Sequence, residues 1–121
     1  RKLGFSMISV SDERFDELID KGIELIPEPL LRNMNNVALV VEPWNRDNPR
    51  TLGLYEGVAL TRRTSSYSFA LPDKITIYKE AICAYCNSEE ELVRQVAVTV
   101  VHEIGHHFGI DDERLHELGW A

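Results

Sequence analysis

His102, Glu103 and His106 lie in VHEIGHHFGIDDERLHELGW, a stretch that also holds the remaining two histidines, His107 and His116. Every imidazole of this 121-residue chain therefore falls near one end of it. Residues four apart in a helix sit one turn above each other on one face. Rings at 102 and 106 can point the same way and reach one ion at about 2 Å. Glu103, rotated by about 100° from His102, can bring its carboxylate to the edge of the ion's open position without becoming a ligand. Two neutral nitrogens and one base are the working parts of a metal-assisted hydrolase. The third donor must come from beyond the helix. Asp111, Asp112, Glu113, His116 and Glu117 are all on offer there, and spacing alone does not choose among them. His107 points elsewhere and reads as a polar neighbour; His116 reads as a surface residue.

The element carrying this cluster is the most apolar helix of the chain. Ser88 to Glu91 is an S-x-x-E capping box, followed by Leu92, Val93, Val96, Val100, Val101, Ile104 and Phe108. Apolar residues cover most of its circumference, which predicts a central, buried helix. Gly109 stops it, and a short last helix is expected from Asp111 to Leu118. Unpaired His and Glu on such a helix would cost on the order of several kcal/mol to bury; a bound metal removes that cost. Upstream, Ser11 to Ile26 has the three- and four-residue apolar spacing of an amphipathic helix, with Ser11 or Asp12 as cap. Pro27 and Pro29 end it, leaving room for one more turn at Pro29 to Met34. VALVVEP from Val37 reads as a buried strand, Trp44 to Arg50 as a loop, and LGLYEGVAL from Leu52 as a second strand. Thr61 to Ser68 is expected to be an exposed, mobile connection. KITIYK, Lys74 to Lys79, alternates strictly and predicts a half-exposed strand near a sheet edge, with its lysines guarding that edge.

Residues His102 to Asp112 fit HExxHxxGxxD. This resembles the metzincin-type motif of zinc metallopeptidases, in the variant with aspartate as the third ligand. The wider chain, through LGLYEGVAL, LPDKITIYKEAI and VVHEIGHHFGIDDERLHELGW, resembles the small bacterial zincin-like family, or minimal zincins. The resemblance implies a zinc ion, with His102, His106 and Asp112 as ligands and Glu103 as general base. It implies an α+β, zincin-like minimal domain over residues 1–121. In it a small mixed β-sheet packs on the active-site helix, with a further N-terminal helix. It also implies a peptide or protein substrate added as a strand to a sheet edge above that helix, for which Lys74 to Lys79 is the candidate. Tyr55, Tyr67 and Tyr78 are candidates to stabilise an oxyanion. One departure from the metzincin pattern is plain: no methionine follows Met34.

Composition narrows the partners. Thirteen basic against 20 acidic side chains give a net charge of −7, which disfavours nucleic acid and anionic membranes. No apolar run approaches the roughly 20 residues that span a bilayer. Cys83 and Cys86 form a lone CxxC, read as two small apolar side chains before a helix. Two cysteines make no disulfide framework, so a reducing, cytoplasmic compartment is expected. Two readings compete with peptide hydrolysis by zinc. One is another metal-dependent hydrolase, such as a small endoribonuclease, which Glu103 and the acidic charge oppose. The other is a non-catalytic zinc-binding module that holds a partner.

Overall fold

Ser11 opens the first helix, α1 (Asp12–Glu24), where its hydroxyl accepts from the Arg14 amide at 3.0 Å. Phe15, Leu18 and Ile19 are buried along one side, as their spacing requires. Pro27 caps a single turn, α2 (Glu28–Leu31), which holds Pro29 near its start, and a 3-10 turn at Arg32–Met34 follows. Three strands come next: β1 (Val37–Glu42), β2 (Gly53–Glu56) and β3 (Asp73–Tyr78). The chain closes with α3 (Lys79–Tyr85), α4 (Glu89–His107) and α5 (Asp112–Glu117). The computed structural model describes residues 8–34, 36–57 and 72–120. The expected connection at Thr61 to Ser68, the far end of LGLYEGVAL and Tyr67 lie outside the described residues.

The architecture is α+β, a small mixed sheet packed on a central helix as the sequence implies. Strand order is β1-β3-β2 among the described residues, with β1 parallel and β2 antiparallel to β3. This reverses the roles expected for two strands. KITIYK, expected half-exposed at an edge, supplies the central strand β3, and Ile75, Thr76, Ile77 and Tyr78 are all buried. Its ladder is taken on both sides by β1 and β2, so no further strand can add along Lys74 to Lys79. Lys79 itself begins α3. VALVV, expected buried, is only half-buried, and Val41 is exposed. Alternation reports which face of a strand is apolar; it does not report how many neighbours the strand has.

Helix α4 behaves as its sequence predicts. Ser88 Oγ accepts from the Glu91 amide at 3.1 Å, while the Glu91 carboxylate reaches back to the Asn87 amide. Leu92, Val96, Ala97, Val100, Val101 and Ile104 are buried against α1 and the sheet. Strand β2 lies directly on α4: a Cβ at Gly53 would fall 2.5 Å from Thr99 Cγ2, so only glycine permits this approach. The two cysteines sit within and at the end of α3, a helix the sequence reading does not foresee. Both are buried in the common core, in keeping with the apolar role expected of them. No helix among the described residues is long and apolar enough to cross a membrane.

Candidate metal centre

The last two turns of α4 carry both histidines of the motif, and the turn after the helix decides what meets them. Gly109 has φ +83°, a left-handed conformation that glycine adopts without steric cost. The Ile110 amide donates to the Gly105 carbonyl at 2.7 Å, so the chain folds back sharply. Asp111 then caps α5, its Oδ1 accepting from the Arg114 amide at 2.9 Å. Leu115 of α5, fully buried, packs on Gly105 so closely that a Cβ there would lie 3.2 Å from both Leu115 methyls. This seating carries the first residue of α5, Asp112, over His106.

Asp112 Oδ1 lies 2.6 Å from His106 Nε2 and 3.9 Å from His102 Nδ1. The two imidazole rings are 5.8 Å apart and steeply inclined, at 77°. One donor atom from each of the three side chains falls within 4.8 Å of the others. Ligand atoms on a tetrahedral zinc with bonds of about 2 Å lie about 3.3 Å apart, between the two separations seen here. Two imidazoles and a carboxylate are also the donor set that zinc takes when one position is left open. The residues present therefore fit the ion. The hydrogen bond from His106 holds the Asp112 carboxyl below its ordinary range, against a smaller opposing effect of desolvation. The other downstream candidates are differently engaged. Asp111 is committed to its cap, Glu117 pairs with Arg114 at 3.0 Å, and neither Glu113 nor His116 joins the group of converging donors formed by His102, His106 and Asp112 among the described residues.

Glu103 faces β2, where its Oε1 accepts from the Tyr55 backbone amide at 3.1 Å. The Tyr55 ring stacks on His107 at 4.0 Å, and its hydroxyl donates to Asp73 Oδ2 at 2.7 Å. His107 is thus a polar neighbour that helps seat β2 against the end of α4. Of the three tyrosines considered for an oxyanion, Tyr55 is beside Glu103 but its hydroxyl is directed to Asp73. The Tyr78 hydroxyl accepts from Asn45 at 3.1 Å. A groove of about 650 Å³ opens beside His102 and Glu103, lined also by Gly53, Tyr85, Arg94 and Gln95. Two contacts to the site come from the backbone: the Tyr55 amide on Glu103 and the Trp120 carbonyl on His102. Side-chain type gives no sign of either. Away from the site, burial pushes the Cys83 thiol up and the Cys86 thiol up to about 12.

Comparisons with known proteins cover the same part of the chain. The model of a family described as zincin-like metallopeptidase matches residues 34–120. Among solved structures, a conserved hypothetical protein from Thermus thermophilus superposes with a TM-score of 0.55 at 22% identity. The alignment covers 89% of this chain and 99% of that one; at this identity the likeness is one of fold. No curated protein matches the chain.

Proposed function

The chain belongs to the zincin-like metallopeptidase family, and on that premise we propose that it hydrolyses peptide bonds with one zinc ion held by His102, His106 and Asp112. The observation that carries this reading is the return of Asp112 onto the two histidines while Glu103, one residue from His102, faces the adjoining groove. When bound, the ion supplies Lewis acidity, polarising a carbonyl oxygen and making water acidic near neutral pH. Three protein donors leave a coordination position for that chemistry.

Glu103 is the general base. Its carboxylate takes a proton from the attacking water as the new C–O bond forms. It then delivers that proton to the departing amine as the C–N bond breaks. The Tyr55 amide holds one carboxylate oxygen at 3.1 Å and so aims the other. An extended peptide in the groove beside His102 would pass both Glu103 and the polar side chains of Gln95 and Arg94. A peptide, and not nucleic acid, also agrees with the net charge of −7.

Elemental analysis of tag-free protein, followed by hydrolysis of a mixed peptide library, tests this. One zinc per chain and cleavage abolished by a chelator are expected, with recovery on adding zinc. Protein that takes up no zinc at neutral pH, or that cleaves equally well without it, would sink the proposal.

A further inference from the structure

Two large aromatic side chains are left largely in solvent, and they share one hollow. Trp44 is 47% exposed and Tyr85 61% exposed, and both line a concavity of about 560 Å³. Pro49, Leu52 and Ala84 extend its apolar wall, and Arg50 is the charged side chain on it among the described residues. The volume is that of a small-ligand site and ample for one aromatic side chain. Exposed apolar groups gathered in one concave patch mark a binding surface, as scattered ones do not. The hollow is held in shape before anything enters it. Asn45 Oδ1 accepts from the amides of Asp47 and Asn48 at 2.8 and 2.9 Å, and its Nδ2 donates to the Tyr78 hydroxyl. Asn48 Oδ1 accepts from the Arg50 amide at 3.0 Å, and the Asn48 carbonyl from the Thr51 amide at 3.0 Å. The facing wall is α3, rooted in the core by Ala81, Ile82 and Cys83. A preformed pocket of this kind spares a ligand the cost of ordering it.

The hollow is continuous with the candidate centre. Leu52 and Tyr85 line both it and the groove beside His102 and Glu103. Helix α4 lines that groove from Glu103 back to Glu91, a stretch of roughly 18 Å at about 1.5 Å per residue. Tyr85 stands just ahead of the Ser88 cap, and so at the Glu91 end. An extended peptide advances about 3.3 Å per residue, so one that reacts at Glu103 reaches the hollow roughly three to five residues away. We infer that the Trp44–Tyr85 hollow is a substrate subsite that takes a large apolar side chain, aromatic above all, on one side of the scissile bond at that remove. Trp44 and Tyr85 offer rigid rings against which such a side chain stacks. They determine specificity and touch no reacting atom. This role deepens the peptidase reading above and rests on it for its purpose, but its first readout needs neither zinc nor turnover.

The experiment first titrates the protein with N-acetyl-phenylalanine amide, and with N-acetyl-glycine amide as the polar control, and follows both by NMR. The Trp44 indole N–H and the Ala84 methyl signals should shift with the aromatic probe alone. A peptide library is then digested with zinc-loaded protein and the cuts are mapped. Aromatic and large aliphatic residues should be enriched at one position roughly three to five residues from the cut. Trp44→Ala and Tyr85→Ala, both at exposed positions, should lower kcat/KM for such peptides about tenfold or more, through KM. Peptides with glycine at that position should be cut as by wild type, and Trp44→Phe should recover most of the loss. Leu25→Ala, an exposed apolar residue at the end of α1, should change nothing. A probe that shifts no signal at the hollow, or shifts Leu25 as much, overturns the inference. So does cleavage with no preference at those positions, which leaves the peptidase reading standing. A dimer that Trp44→Ala dissociates would give the face to a second copy of the chain and overturn it too. If the probe seats in the hollow and no peptide is cut, the peptidase reading fails while the apolar binding site stands.

Discussion

Helix α4 is two helices in one piece of backbone. From Leu92 to Val101 it is a core element, with Leu92, Val96, Ala97 and Val100 entirely removed from solvent. From His102 to Phe108 only Ile104 and Gly105 stay buried; His106, His107 and Phe108 are exposed and Glu103 faces a groove. The first half makes few polar contacts and much apolar packing; the second makes polar contacts to three separate elements. Rigidity generated in the one half is thus delivered to the other without a joint, because a helix transmits its register along its length. Stability and chemistry should therefore be separable by position along a single helix.

Glu103→Gln should break the comparison at its functional end most sharply. Turnover is expected to fall about 10²–10⁴-fold, with zinc content and Tm unchanged. A peptidase assay beside elemental analysis checks it, and retained activity would remove Glu103 as base. Leu92→Ala addresses the other end. Loss of a buried leucine should cost about 2–5 kcal/mol in urea unfolding, while zinc affinity measured on the folded fraction stays put. A loss of affinity there would show that the two halves are not independent.

Gly53→Ala sharpens the comparison where β2 crosses from one half to the other. The new methyl would meet Thr99 Cγ2 at 2.5 Å, so overpacking of about 1–3 kcal/mol is expected. Because β2 also delivers the Tyr55 amide to Glu103, catalytic rate should drop along with stability, unlike the outcome for Leu92→Ala. The smallest effect belongs to an exposed contact at the start of α4, between Arg14 and Glu89 at 2.7 Å. The Arg14 hydrogen bond holds Glu89 below its ordinary 4.5. A carboxyl depressed by folding adds stability above its unfolded value and loses it as pH falls through the folded one. Glu89→Gln should therefore lower Tm slightly at neutral pH, more at low salt, and make no difference well below the ordinary value of 4.5. A Tm difference that persists in acid would assign the effect to packing.

The sequence reaches furthest where chemistry and periodicity coincide. The cap at Ser88, the buried face of α4, the stop at Gly109 and the start of α5 all follow from residue type at fixed spacing, and the structure has them. So does the pairing of His102 with His106. The downstream acid is a different matter. Its candidates are equivalent on spacing, and what separates them is that Asp111 is consumed by a cap while Leu115 seats α5 on Gly105. The strand order is not legible either. VALVV looks more buried than KITIY, yet it lies beside a single strand among the described residues, because sheet position depends on which partners return from elsewhere in the chain. Helix α3 escapes the sequence reading because its short apolar segment, AICAYC, carries no clear period.

The contact of Gly105 with Leu115 bears on how the motif should be searched for in other genomes. Written as HExxH, the pattern treats its two middle letters as free, but in this fold neither is. Position 104 is a core residue, and position 105 must be small enough to let the next helix close. A chain that satisfies the five letters with a bulky residue before the second histidine would keep two imidazoles and lose the acid that joins them. Filtering on that one letter would separate chains able to assemble this three-residue centre from those that match it only in spelling.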